Sequence, residues 1–125
     1  MMTLIYIGAG GCIGSVLRYI ISKYLNNFVS NFPLGTLTVN VMGSFVLGFI
    51  VYSLSAGKNI PAGFREFLTI GLIGGFTTMS SFAYESFRIA ELNEYLLFSL
   101  NVGLNIILSL TAVYFGKELA LLISK

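Results

Sequence analysis

Four long apolar segments constrain this chain more than any other feature of its sequence. An α-helix needs about 20 mostly apolar residues to cross the hydrocarbon core of a bilayer. The segments that meet this length are Thr3–Leu25, Leu34–Ala56, Phe64–Ile89 and Tyr95–Ile123. None of them alternates polar and apolar residues as the strands of a membrane barrel do. The sequence therefore predicts an all-α membrane protein with four transmembrane helices, in which residues 1–125 form a single domain.

The composition excludes most soluble classes of protein. Charged residues make up 10% of the 125 residues and hydrophobic residues 56%, whereas a soluble domain carries about 25% charged residues. The net charge of +2 is small and spread along the chain, so no surface for nucleic acid is expected. Histidine and aspartate are absent and Cys12 is the single cysteine, which excludes histidine-based triads and His/Cys zinc sites. We therefore expect no enzyme.

Positive charges are distributed almost evenly between the two ends of the predicted helices. Short loops make neighbouring helices antiparallel, so the second loop and the C-terminus share a side. That side carries Lys58, Arg65, Lys117 and Lys125, and the other carries Arg18, Lys23 and Arg88. Orientation in the membrane is set by a clear asymmetry of these charges, and four against three is nearly balanced. This balance predicts a chain that inserts both ways and forms an antiparallel, dual-topology homodimer in membrane lipid.

Polar side chains recur at helical spacing in three of the four segments. The rows are Thr36, Asn40 and Ser44 in the second segment, Thr77, Thr78, Ser80 and Ser81 in the third, and Asn101, Asn105 and Ser109 in the fourth. A single hydroxyl in a membrane helix can simply bond to its own preceding turn. Polar groups inside the membrane more often face protein or a pore. Three rows at similar depth therefore predict a shared polar path.

The chemistry of these rows favours a small anion as the ion that passes. Hydroxyl and amide groups donate hydrogen bonds that replace the hydration shell of an anion without holding it too tightly. A cation or proton path more often contains embedded carboxylates, and here only Glu85 lies near the interior of a segment. Arg18, one to two turns inside the first segment, either draws anions into a vestibule or extends to the membrane interface.

Gly74 and Gly75 lie near the middle of the third segment and predict a break in that helix. Glycine in a helix interior costs about 1 kcal/mol relative to alanine. A broken membrane helix frees backbone carbonyls, which must find other partners. Two copies that meet at a two-fold axis would present two sets of such carbonyls, a suitable site for a monovalent cation such as Na⁺. The alternative is a kink in a continuous helix.

Three motifs resemble the Fluc/CrcB family of fluoride ion channels. They are GGCIGSVLRY (Gly10–Tyr19), GTLTVNVMGSF (Gly35–Phe45) and GGFTTMSSFAYE (Gly74–Glu85), and the resemblance covers essentially the whole chain. It implies a fluoride-selective channel that passively exports F⁻ across the cell inner (plasma) membrane and excludes chloride. It also implies an antiparallel, dual-topology homodimer with two pores, which agrees with the balance of charges.

The resemblance further implies roles for particular residues. Asn40 matches an asparagine on the pore, and Arg18 matches an arginine near the aqueous vestibule. A central structural Na⁺ is bound by backbone carbonyls at the break in the third helix, at positions that match Gly74 and Thr77 in both copies. The remaining predicted pathway residues are Thr78, Ser80 and Ser81 beside the break, and Asn105 and Ser109 in the fourth segment.

One feature of the family is only half present. Its "Phe box" is a pair of phenylalanines three residues apart, whose ring edges face the fluoride path. The second matches Phe82, whereas the first falls on Met79. A ring edge carries partial positive charge and can meet an anion, and a flexible thioether offers only a weakly polar methyl group. We therefore expect conduction to persist with an altered rate or fluoride affinity.

Two other classes of protein share some of these features. A small dual-topology multidrug exporter also has four helices, but it needs a membrane-embedded glutamate in its first helix, where this chain has only Arg18. A helical scaffold would explain small residues at four-residue spacing, such as Gly10 and Gly14. It would leave the three polar rows unexplained.

Overall fold

The computed structural model describes all residues, 1–125, and consists of helices without strands. The elements are α1 (Met2–Asn26), α2 (Leu34–Ser55), α3 (Ala62–Glu66), a π-helical segment (Phe67–Ile73), α4 (Gly74–Phe76), α5 (Met79–Glu91) and α6 (Tyr95–Ile123). They form four spans long and apolar enough to cross a membrane, with mean hydropathies of 1.2 to 2.0. The four predicted segments are confirmed, and each predicted end lies within two residues of the observed end.

Proline and glycine set the boundaries of the spans. Pro33 and Pro61 immediately precede α2 and α3, because proline has no N–H to donate within a helix and favours its start. Gly57 follows the end of α2 with a φ of 95°, a left-handed conformation that glycine adopts without strain. The connections are therefore short and sharp, and successive spans run antiparallel.

The third span, Ala62–Glu91, is interrupted near its middle, as the sequence predicts. The interruption lies at Thr77 and Thr78, whose backbones are extended, with ψ angles of 157° and 115°. The predicted position at Gly74 and Gly75 is wrong, because Gly74 has helical dihedrals and both glycines belong to α4. Gly75 serves packing instead, since a Cβ there would lie 2.7 Å from the carbonyl oxygen of Gly11.

Small residues bring the helices into close contact in two pairs. Between α1 and the first half of the third span, a Cβ on Gly71 would lie 2.6 Å from the Ile7 carbonyl oxygen. Between α2 and α6, a Cβ on Gly48 would lie 2.6 Å from the Val113 carbonyl oxygen. Close backbone approach of this kind is how helices associate in lipid, where apolar side chains have no water to escape. These contacts form two closely packed pairs, α1 with the first half of the third span and α2 with α6.

The outer surface is apolar. Only 20 of the 125 residues are buried, and large side chains such as Leu4, Leu110 and Leu122 are 67% to 70% exposed. A surface of this kind is suited to contact with lipid, where exposed apolar groups are not penalised. The length and hydropathy of the four spans, together with this surface, identify a multi-pass membrane protein.

Candidate functional site

A cleft of about 350 Å³ opens beside the break in the third span and is called the central cleft here. Residues of α2, α5 and α6 line it, together with Thr77 and Thr78 of the break. Six of the nine predicted pathway residues are among its lining residues: Asn40, Thr78, Met79, Phe82, Asn105 and Ser109. The three polar rows of the sequence therefore come together in one place, although their helices are far apart along the chain.

A second cleft, of about 460 Å³, lies on the other side of Thr78 and is called the Arg18 cleft here. Arg18 and Ser81 line it, and Thr78 lines both clefts. Ser80 lines neither of the two, but its hydroxyl oxygen is 3.2 Å from Oγ1 of Thr78. The structure thus places all nine predicted pathway residues in or beside two clefts that meet at Thr78, a residue that is only 7% exposed.

Asn40 on α2 supplies the hydrogen bonds that the interrupted backbone lacks. Its Oδ1 accepts from the N–H of Thr78 at 2.8 Å, and its Nδ2 donates to the carbonyl of Thr78 at 3.2 Å. A side-chain amide offers both a donor and an acceptor, so it can pair with both polar groups of one extended residue. Because unpaired backbone groups are costly inside a membrane, Asn40 stabilises the break directly.

Two hydrogen bonds at the break, one to Asn40 and one to the Thr78 hydroxyl, take the N–H groups that two backbone carbonyls would bind in a continuous helix. The N–H of Thr78 would reach the Gly74 carbonyl in a continuous helix, but it donates to Asn40. The N–H of Ser81 would reach the Thr77 carbonyl, but it donates to Oγ1 of Thr78 at 3.1 Å. Gly74 and Thr77 are the two positions predicted to bind Na⁺. Their oxygens are therefore free to accept a cation, and no cluster of three His, Cys, Asp or Glu side chains competes for one.

The hydroxyl of Thr78 caps the N-terminus of α5. It accepts from the N–H of Ser81 and donates to Oγ of Ser81 at 3.1 Å. Threonine is a favoured residue at this position because its oxygen satisfies a backbone donor that has no partner within the helix. The start of a helix also carries partial positive charge, which favours a nearby anion. Hydroxyl groups and this positive end therefore lie together where the two clefts meet.

Met79 and Phe82 lie three residues apart on α5 and both line the central cleft. Phe82 is buried, with 9% of its surface exposed, whereas Met79 is 74% exposed. Residues at this spacing lie on the same side of a helix, one turn apart. The cleft is therefore enclosed at Phe82 and open to the surface of the chain at Met79.

A chain of side-chain hydrogen bonds continues from the cleft into the protein. Nδ2 of Asn105 donates to the carbonyl and to Oδ1 of Asn101, at 2.9 Å and 3.0 Å. Nδ2 of Asn101 donates to Oγ of Ser86 at 2.9 Å, and Ser86 donates to the carbonyl of Phe82 at 2.7 Å. Ser86 was not predicted from the sequence, and Asn101 was predicted as a member of the polar row of the fourth segment but not as a pathway residue. Their sequence signal is the spacing of four residues from Asn105 and from Phe82.

Glu85, the one acidic residue that the sequence places near a span interior, is half-buried and borders the Arg18 cleft. Oγ1 of Thr36 donates to Oε1 of Glu85 at 2.8 Å, and Oε2 is buried without a partner. Thr36 lies one helical turn from Asn40 on α2. The polar row of α2 therefore contacts α5 and the break at two successive turns.

A family profile and several known proteins match this chain over nearly its whole length. The family profile described as CrcB-like protein, Camphor Resistance (CrcB), matches residues 5–117. Fluoride-specific ion channel FluC 3 of Methanosarcina barkeri is 45% identical, over 99% of this chain and 94% of the relative. FluC 1 of Methanosarcina acetivorans is 46% identical over 97% and 92%. FluC of Shewanella amazonensis is 46% identical over 95% and 96%.

Proposed function

This chain belongs to the CrcB-like family, and from that premise we propose that it is a fluoride-selective ion channel that passively exports F⁻ and lowers the cytoplasmic fluoride concentration. The observation that carries the proposal is the central cleft. It places hydroxyl groups, the N-terminus of α5 and Phe82 around one cavity beside a break in an apolar span. Donors and partial positive charges suit an anion, and the relatives named as fluoride-specific ion channels share over 40% of their residues with this chain.

The path runs from the Arg18 cleft past Thr78 into the central cleft. The guanidinium of Arg18 raises the local concentration of anions at the entrance. Thr78, Ser80 and Ser81 form a hydroxyl cluster at the junction of the two clefts. Within it the O–H of Ser81 is not donated to the protein and replaces hydration of the ion, because fluoride is small and binds O–H donors strongly. Phe82 and Ser109 line the next part of the path, with Met79 at the position of the missing ring.

The functional unit is an antiparallel homodimer with two pores. The central cleft is open at Met79, which is 74% exposed, so the polar groups behind it would face lipid in a single copy. Exposing polar groups to lipid is costly, and a second copy closes the cleft. The near balance of positive charges between the two ends supports opposite orientations of the two copies in the inner membrane. Each copy contributes one cleft, which accounts for two pores.

A structural Na⁺ fits between the two copies at their helix breaks. The carbonyl oxygens of Gly74 and Thr77 would hold it, since both have lost their helical donors to side chains. Bound there, the ion supplies positive charge that compensates carbonyl dipoles in a medium without water. The residues of this chain keep those oxygens free: Asn40 and Thr78 take the N–H groups that would otherwise pair with them.

The membrane potential drives export without coupling to another ion. HF forms in weak acid, crosses lipid and ionises in the more alkaline cytoplasm. Moving one negative charge outward across a potential that is negative inside releases about 2.3 kcal/mol per 100 mV. A passive and selective pore is therefore sufficient to keep cytoplasmic fluoride low, provided that chloride does not follow.

Ion release from liposomes tests the proposal. Purified protein is reconstituted into liposomes loaded with potassium fluoride or potassium chloride, valinomycin is added, and each anion is followed with its own electrode. We expect rapid fluoride release and no chloride release above protein-free liposomes. Equal release of both anions, or release of neither by protein that elutes as a single species, would contradict a fluoride-selective channel.

A further inference from the structure

We propose that Asn101, a side chain outside both clefts, positions the helix break through a relay of amide hydrogen bonds, and that Asn40 holds the backbone there rather than donating to the ion. The relay consists of Asn40, Asn105, Asn101 and Ser86, and is called the amide relay here. This inference rests on the proposed function, because its consequence is a change in fluoride conduction.

All the donors of Asn40 are occupied. A side-chain amide has two N–H groups, and those of Asn40 donate to the Thr78 carbonyl at 3.2 Å and to Oδ1 of Asn105 at 3.0 Å. The N–H groups of Asn105 are likewise occupied by the carbonyl and the side chain of Asn101. Neither amide therefore has an N–H left for a passing anion. The hydroxyls of Ser44, Ser81 and Ser109, which line the clefts and donate to no other group of the protein, carry that role.

The backbone fixes the direction of every amide in the relay. The N–H of Thr78 must meet an oxygen, so Oδ1 of Asn40 faces Thr78 and Nδ2 faces Asn105. The order of donors then continues through Asn105 and Asn101 to Ser86, which donates to the carbonyl of Phe82. The relay thus begins and ends on the third span, at the break and one turn into α5. It ties that part of α5 to α2 and α6.

Burial makes each link of the relay expensive to remove. Asn101 is 0% exposed, and Asn105 and Ser86 are each 5% exposed. A buried donor that loses its partner has no water with which to replace it, and a network of this kind is stable only when each of its members is paired. Asn101 and Ser86 line neither the central cleft nor the Arg18 cleft. A substitution of either residue can therefore change fluoride conduction only by changing the position of α5 and the break.

The test compares two buried serines that differ in their membership of the relay. Ser86→Ala removes the last donor of the relay, whereas Ser53→Ala removes a buried hydroxyl on α2 that has no hydrogen-bond partner. In the liposome assay we expect Ser86→Ala and Asn101→Leu to lower the fluoride flux per folded protein by about tenfold. We expect Ser53→Ala to stay within about twofold of the original protein. Ser86→Thr retains the hydroxyl and is expected to recover most of the flux.

A substitution at Asn40 distinguishes two roles of this side chain, namely holding the backbone of Thr78 and donating a hydrogen bond to the ion. Asn40→Ser keeps an O–H donor at the cleft but cannot reach both polar groups of Thr78. If Asn40 holds the break, this variant loses fluoride flux and the ratio of fluoride to chloride release falls. Near-normal flux and selectivity in Asn40→Ser would overturn the role assigned to Asn40.

The remaining outcomes distinguish the relay from the proposed function. An original protein that releases no fluoride refutes the channel itself. An original protein that conducts, with Ser86→Ala conducting as Ser53→Ala does, refutes the relay alone. Loss of folded protein in both Ser86→Ala and Asn101→Leu, as measured by size-exclusion chromatography, also counts against the relay, because these side chains would then hold the whole fold and not the break.

Discussion

Met79 is the side chain that distinguishes the central cleft most clearly from a site lined by two aromatic rings. It lies one turn before Phe82 and is 74% exposed, whereas Phe82 is buried. A thioether is flexible and presents a methyl group where a ring would present a partially positive edge. In the proposed channel, contacts with the anion would therefore come from Phe82 and the nearby hydroxyls.

Replacing Met79 with phenylalanine would place a ring edge at the open side of the cleft. Aromatic contacts of this kind contribute about 0.5–1.5 kcal/mol, which corresponds to a change of about 2- to 10-fold in affinity. We expect Met79→Phe to lower the half-saturating fluoride concentration of flux by that factor. Met42→Phe is the matched control, because Met42 is also exposed and lies outside the cleft. An unchanged half-saturating concentration in Met79→Phe would show that the first ring position does not control binding.

The hydroxyl of Thr78 serves both the break and the junction of the clefts. Thr78→Val keeps the shape of the side chain and the backbone N–H that donates to Asn40, but removes the cap of α5. Loss of such a cap costs about 1 kcal/mol, so we expect a lower thermal midpoint and about tenfold less fluoride flux. Thr78→Ser should retain most of both. Thr111→Val, which removes an exposed hydroxyl on α6, serves as the control.

At the scale of elements, the interrupted span combines close packing with an extended segment. Its first half contacts α1 through backbone atoms, at Gly10, Gly14, Gly71 and Gly75. Its second half, α5, is held by hydrogen bonds from α2 and α6. Backbone contacts at glycines pack the first half closely against α1. Side-chain amides of α2 and α6 orient the second half. The break lies between the half that is held by backbone packing and the half that is held by side-chain hydrogen bonds.

Alanine substitutions at two glycines of α1 distinguish the contribution of close packing to stability from that of helix propensity. A Cβ on Gly14 would overlap the carbonyl oxygen of Leu72, whereas a Cβ on Gly8 would meet no atom within 4 Å. Gly14→Ala is expected to destabilise the protein by about 1–3 kcal/mol, as overpacking does. Gly8→Ala should be neutral or slightly stabilising, because alanine is the better helix former. Thermal unfolding in detergent measures both, and equal midpoints for the two variants would contradict the close contact of α1 with the third span.

At the scale of the whole molecule, a single copy leaves much of its polar cleft uncovered. The cleft lies beside a break in an apolar span and opens at an exposed methionine. In the proposed dimer, a second copy in the opposite orientation would cover this cleft. The nearly balanced positive charges at the two ends predict little preference for one orientation.

Thiol labelling measures the orientation of the chain in cells. With Cys12 replaced by alanine, Ser124→Cys and Ser30→Cys each place one thiol at opposite ends of the spans. An impermeant maleimide should label about half of each variant from outside, since both orientations are populated. Complete labelling of one variant and none of the other would show a single orientation and refute the antiparallel dimer.

The sequence by itself determined the number, length and limits of the spans. A membrane helix must satisfy its backbone locally and present apolar side chains to lipid, so its signal is contained in one continuous window. The polar rows were also visible, because residues four apart share a helix face. The motifs around Asn40 and Phe82 also resembled those of a known family before any contact was known.

Only the tertiary structure decided where the third span breaks and which side chains hold it. Gly74 and Gly75 are weak helix formers near the middle of the span, yet Gly75 stays helical because it packs on Gly11 of α1. The break falls at Thr78 because Asn40, 38 residues away, takes its N–H. Contacts between distant residues outweigh local propensity here, since an unpaired backbone group inside a membrane costs more than an unfavourable helical residue.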